Sequence, residues 1–219
     1  MPIDGGLQKK LAFLGMALAV LGGLFLLVYD FLTPNAVVPV KLVRVTVPEG
    51  FNIRQIAERL EEAGLFQAEE FIKLAQSEEG YLFPDTYEFY GHAAPEEVVL
   101  KMKENFLKKA GTEVTRDVII MASLLEEEAA KTEDRKIISG ILWKRLVAEF
   151  PLQVDAEPGT YDYQGLPPSP ISNPGLDAID AALNPKSSPF WYYLSDEGGN
   201  IHYAKTFEEH KQNRLKYLR

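Results

Sequence analysis

The sequence predicts an α+β protein: a single N-terminal transmembrane helix, a small βαα module, then a mixed α/β domain with a Pro-rich loop region. Three observations predict it. Leu11 to Tyr29 is a run of 19 residues without a charge. Residues 41–47 are β-branched and roughly alternating, and two stretches of helical periodicity follow. The strongest helical pattern, Thr115 to Ala130, precedes a proline-rich tract from Pro151 to Pro189. Composition agrees with a folded chain, since 46% hydrophobic and 25% charged residues over 219 positions exclude disordered and low-complexity classes. Lys plus Arg is 23 against 32 Asp plus Glu, a net charge of −9 with no basic cluster, so nucleic acid is not an expected partner. With no cysteine, thiol catalysis, disulfides and cysteine-ligated metals are excluded.

As a helix, the uncharged run covers ~28 Å, the hydrocarbon thickness of a bilayer. Lys9 and Lys10 precede it and Asp30 follows it. The positive-inside bias then makes residues 1–10 a cytoplasmic tail and residues 11–32 the span, with a stalk at 33–40 holding Pro34 and Pro39; everything beyond faces the exterior. A cleaved signal peptide and a buried core helix are the competing readings. The run is longer than the ~7–15 apolar residues of a signal peptide, and no small-residue cleavage site follows it.

Residues 41–77 read as strand, turn and helix. Pro48-Glu49-Gly50 turns the chain, Ile53, Ile56, Ala57 and Leu60 recur at helical spacing, Gly64 ends that helix, and Ala68 to Ala75 forms a second. From Gly80 the texture becomes aromatic, so a boundary is expected near residue 78, with residues 78–219 as the second domain. Its expected helices run from Pro95 to Lys109, Thr115 to Ala130, Glu133 to Glu149 and Gly175 to Leu183. A hairpin turning at Glu197 to Asn200 and a polar C-terminal helix complete it.

Three adjacent acids, Glu126, Glu127 and Glu128, end the Thr115 helix. On a helical wheel Glu127 points away from the apolar stripe of Val118, Ala122, Leu125 and Ala129, whereas Glu126 and Glu128 flank it, each about 80° to one side. A carboxyl at the edge of apolar packing is desolvated, which favours its neutral form and suits a general acid. A solvated helix end is the plainer reading of the same run. The aromatics Tyr81, Phe83, Tyr87, Phe89, Tyr161, Tyr163, Phe190, Trp191, Tyr192 and Tyr193 either line a groove for sugar rings or pack the core. His92, His202 and His210 lack metal-ligand spacing, and neither a Gly-rich phosphate loop nor a GxSxG elbow occurs, so no metal or cofactor is expected.

Several segments taken together carry a resemblance: YLFPDTYEF (Tyr81 to Phe89), MASLLEEEA (Met121 to Ala129), Glu133-Asp134-Arg135, WKRL (Trp143 to Leu146), LQVD (Leu152 to Asp155), GLPPSPISNPG (Gly165 to Gly175), AALNP (Ala181 to Pro185) and HYAKTFEEH (His202 to His210). In order and spacing the chain strongly resembles the membrane-anchored endolytic murein transglycosylases of the YceG-like family. The resemblance implies that residues 41–77 are LysM-like and residues 78–219 catalytic. It also implies that Glu126 is the catalytic acid, with Glu128 matching the second acid of the motif. Gln153, Asp155 and Tyr161 are then candidates for orienting substrate or acid. The implied reaction cleaves the β-1,4 bond between N-acetylmuramic acid and N-acetylglucosamine with formation of 1,6-anhydro ends, needs no cofactor, and would terminate nascent glycan strands. Implied partners are peptidoglycan glycan strands, a bacterial cell membrane crossed by one helix, and peptidoglycan synthases.

The chain departs from the family pattern between LQVD and GLPP. Only Ala156 to Gln164 connects them, and Pro158 and Gly159 stand where Tyr and Asn are expected. Two further readings stay open: a non-catalytic peptidoglycan-binding scaffold of the cell-wall synthesis machinery, and a hydrolase pairing Glu126 with Asp155 or Glu128.

Overall fold

The computed structural model describes Gly6, residues 13–16 and 18–25, and residues 41–218. Residues 13–16 and 18–25 are helical, with exposed apolar side chains such as Leu14, Leu21 and Leu24. Among the described residues no helix is long and apolar enough to cross a membrane. The remainder of the expected span at 11–32, the stalk at 33–40 and all of the tail but Gly6 lie outside the described residues.

Alternation builds the first sheet. Strands β1 (Leu42–Thr46) and β2 (Thr86–Tyr90) pair antiparallel with Val43 opposite Phe89 and Val45 opposite Tyr87, and these four residues form the inward face. Helices α1 (Ile53–Glu62) and α2 (Ala68–Ala75) cover that face. A capping box starts α1, in which Asn52 Oδ1 accepts from the Gln55 N–H and Gln55 Oε1 from the Asn52 N–H. The expected boundary near residue 78 falls inside this layer, because β1 finds its partner strand only at residue 86.

Helix α3 (Pro95–Ala110) serves two cores. Val98, Val99 and Met102 join the sheet and α1–α2, while Phe106 joins a second cluster around α4 (Arg116–Glu128), α5 (Thr132–Val147) and α6 (Leu176–Leu183). The extended segment before β2 divides likewise, with Leu82 in the first core and Phe83 in the second, as alternating side chains require. Every residue of α4 from Ile119 to Leu125 is buried, so the apolar stripe expected from periodicity is wider than a single face. The hairpin β3 (Tyr192–Ser195) and β4 (Ile201–Ala204) closes through the Asp196 N–H on the Asn200 carbonyl, a bond that encloses the turn expected at Glu197 to Asn200. Helix α7 (Phe207–Tyr217) follows with no buried residue.

Asn173 ties the two cores together. Fully buried, it accepts the N–H groups of Gly80 and Leu82 on Oδ1, both at 2.9 Å, and donates through Nδ2 to the Phe51 carbonyl and to Glu79 Oε1. Glu79 Oε2 takes the Ile53 N–H at 3.1 Å. Burial pushes the Glu79 carboxyl up to about 7, against the opposing pull of the Ile53 and Asn173 donors. A carboxyl raised by folding contributes stability below its ordinary value of 4.5 and loses that contribution as pH rises through about 7. Stability is therefore expected to fall between pH 4.5 and 7 by about 1–2 kcal/mol from this group, after allowance for solvent screening. Urea unfolding of wild type and Glu79→Gln across that range checks it, since the variant should lose this slope.

Candidate active site

The last turn of α4 sends its three carboxyls in three directions, as 100° per residue dictates. Glu127 is exposed, whereas Glu126 and Glu128 are drawn in from solvent on opposite flanks.

On one flank, the Glu126 side chain is only 6% exposed. Its Oε1 accepts from Arg135 Nη2 at 2.5 Å and its Oε2 from the Gly175 N–H at 2.8 Å. Gly175 is the N-cap of α6, so the carboxyl faces the positive end of that helix. Arg135 is itself 8% exposed and donates Nε to the Ala129 carbonyl at 2.7 Å, which fixes its approach. The Glu49-Gly50 turn lies over this pair. Gly50 has φ +80, and a Cβ there would stand 3.5 Å from Glu126 Cγ and 2.9 Å from Glu127 Oε1, so the turn fits only a glycine. Burial raises the proton affinity of Glu126. The Gly175 N–H and Arg135 oppose that rise, the carboxylates of Glu49 and Glu127 add to it, and the net direction is upward.

On the other flank, Glu128 faces a cleft of about 490 Å³ whose walls include Gln153, Asp155, Tyr161, Tyr192 and Tyr193. Burial raises Glu128 and the neighbouring Asp155 carboxylate adds to the rise, against the Tyr193 hydroxyl and the backbone N–H groups of Ala156 and Asp155. Tyr193 Oη is buried beside Glu128 and makes no hydrogen bond of normal geometry. Tyr161 donates its hydroxyl to Asp155 Oδ1 at 2.5 Å, and burial together with that acceptor pushes it up to about 12. At the far end, burial and then Arg214 and Arg145 push the His210 imidazole down.

The shortened connection after LQVD is compact for a local reason. The buried Thr160 hydroxyl accepts the Val154 N–H at 2.9 Å and donates to the Glu157 carbonyl at 2.7 Å, closing a 3₁₀ turn over Pro158–Tyr161. That closure brings Tyr161 back onto Asp155. Gln153 sits at φ +52, a strained angle for a residue with a side chain, on the wall of the same cleft.

The structure thus brings Glu128, Gln153, Asp155 and Tyr161 together and places Glu126 on the opposite flank of α4, outside the lining of that cleft. Of the aromatics, Tyr161, Tyr192 and Tyr193 reach the cleft, while Phe83, Tyr87 and Phe89 are core residues. Sequence reasoning quoted the segments holding Arg135, Arg145, Glu49 and Gly175 but gave none of the four a role in the site. The two arginines had a signal: Arg135, Ile138, Leu142 and Arg145 recur at spacings of three and four along one buried stripe of α5, and an arginine on such a stripe requires acceptors. Arg145 finds them in the carbonyls of Leu152 at 2.5 Å and Trp191 at 2.8 Å, bracing the cleft wall.

The model of a family described as YceG-like matches residues 28–157 and 159–216. The chain belongs to the YceG-like family. An endolytic murein transglycosylase of Bacillus subtilis is 30% identical over 172 residues, covering 64% of this chain and 48% of that protein. One from Streptococcus pneumoniae is 28% identical, covering 78% of this chain and 44% of that protein. The chain therefore spans about half the length of these curated relatives. The crystal structure of a yceG-like protein from Listeria monocytogenes superposes with a TM-score of 0.67 at 26% identity, covering 78% of this chain and 75% of that one.

Proposed function

We propose that this YceG-like chain is a membrane-anchored peptidoglycan lytic transglycosylase that cuts glycan strands internally, with Glu126 as its acid and base. The carrying observation is that the Glu126 carboxyl is withdrawn from water yet held by two fixed donors, with its proton affinity raised. A carboxyl so placed donates a proton to the departing glycosidic oxygen. The carboxylate that remains takes the proton of the muramic C6 hydroxyl as that oxygen attacks C1, so the C1–O bond to the leaving sugar breaks, a C1–O6 bond forms and the carboxyl is regenerated. No second carboxylate and no water are consumed. The internal nucleophile benefits from effective molarity, worth ~7–11 kcal/mol in well-oriented cases.

Glu128, Gln153, Asp155 and Tyr161 are the substrate-binding residues in this reading, and their common cleft with its three tyrosines suits sugars flanking the cut. The strand–helix–helix order of residues 42–75 supports a LysM-like module. The apolar N-terminal run supports a single crossing of a bacterial cell membrane, with the N-terminus inside and the catalytic part outside. Termination of nascent strands next to peptidoglycan synthases would follow from that location. A hydrolytic reading that pairs Glu126 with Asp155 or Glu128 finds no support in this geometry, since both of those acids line the cleft on the other flank of α4. Mass spectrometry of products from purified glycan strands tests the assignment. Anhydro-muramic ends are expected; reducing ends would point to hydrolysis, and no new ends to a binding scaffold.

A further inference from the structure

We propose that Glu49 is a positioning residue for the Glu126 acid: its carboxylate, laid across Gly175 from the turn after β1, opposes Arg135 and keeps Glu126 ready to give up a proton. The inference rests on the reading of Glu126 given above.

The geometry begins at Gly175. Its N–H holds Glu126 Oε2, and the place its own Cβ would occupy is filled by the Glu49 carboxylate. Gly175 has φ −78, an angle any residue adopts, so the backbone does not require a glycine here; the space taken by Glu49 does. The turn that carries Glu49 is fixed by two hydrogen bonds, from the Gly50 N–H to the Asn173 carbonyl and from the Asn173 N–H to the Phe51 carbonyl, both at 3.0 Å. One short segment, residues 173–175, therefore holds both the acid and the carboxylate beside it.

The charges facing Glu126 come from every side. Arg135 on α5 and the N-terminus of α6 favour its ionised form, whereas Glu127 on its own helix and Glu49 disfavour it. Without Glu49 the balance moves towards the arginine. A neighbouring negative charge also serves the second half of the reaction, because a carboxylate beside another carboxylate is the stronger base towards the C6 hydroxyl. Glu49 is exposed and never contacts the reacting atoms in this scheme. It acts through Glu126.

The test is the pH profile of glycan cutting by the full chain, compared among wild type, Glu49→Gln and Gly175→Ala. Cutting should decline as pH rises and Glu126 loses its proton. In Glu49→Gln the decline should begin at lower pH. In Gly175→Ala, where the added methyl displaces the Glu49 carboxylate at an unchanged backbone angle, it should move the same way. A merely structural role would lower the rate at all pH values and leave the position of the limb unchanged. Carbon-13 NMR titration of the Glu126 carboxyl gives a readout independent of turnover and should show the same downward shift. A midpoint unmoved in both variants, with Glu126→Gln still inactive, overturns the role of Glu49 alone. A Glu126→Gln protein that cuts at the wild-type rate overturns the acid assignment and the role of Glu49 with it.

Discussion

Glu126→Gln is expected to abolish strand cutting, with a loss of about 10²–10⁴-fold from proton transfer alone. The substitution keeps shape and removes the proton. The amide that replaces the carboxyl can still offer one oxygen to Arg135 or to the Gly175 N–H, but not to both, since its nitrogen is a donor facing a donor. Arg135 then stays buried without its counter-charge, although its bond to the Ala129 carbonyl survives. A stability loss of about 1–3 kcal/mol is expected for that reason, smaller than for deleting the side chain. Circular dichroism melts run beside the activity assay separate the two effects. The expected pair of results is an inactive protein with a cooperative transition at a modestly lower temperature. Wild-type turnover would remove the assignment.

Asn173→Ala should be the most damaging single change to the fold. The side chain is fully buried and satisfies four partners: the Gly80 and Leu82 N–H groups, the Phe51 carbonyl and Glu79. Alanine leaves two buried backbone donors with no acceptor, and desolvated unpaired groups cost ~1–3 kcal/mol each. A total of about 3–5 kcal/mol is expected, a large share of the ~5–15 kcal/mol by which a domain is ordinarily stable. Chemical denaturation measures it directly; a loss below about 1 kcal/mol would mean that water replaces the amide. Asn173→Asp keeps the acceptor for Gly80 and Leu82 but sets a carboxylate against Glu79, so it should restore stability only in acid, where one of the pair is protonated.

The helices of this chain were legible because caps and periodicity are local. Ala68 to Ala75 falls where its spacing puts it, and the helix expected from Thr115 to Ala130 is found at Arg116–Glu128 with Thr115 as its cap. The separation of Glu126 from Glu128 was legible too, since it follows from helical rotation alone. Other features depend on contacts across the chain and leave no periodic trace. The pairing of β1 with β2 joins residues 40 or more positions apart, so a boundary read from texture near residue 78 cut through a sheet. The neighbours of Gln153, Asp155 and Tyr161 were illegible for the same reason. The family motif linked them to Glu126, whereas the folded loop turns them towards Glu128. Glu49 and Gly175 are distant in sequence and touch only because Asn173 draws the turn across.

The bond between Asn173 and Phe51 spans 122 positions, and it has a consequence in time. A polypeptide is made from its N-terminus at about 5–20 residues per second, so the Pro48–Gly50 turn waits roughly 6–25 seconds for the segment that will dock it. Helix α4 is complete well before then, and its carboxyls begin life uncovered. The surroundings of the Glu126 carboxyl therefore stay incomplete until residue 173, 122 positions after Phe51, has been added to the chain.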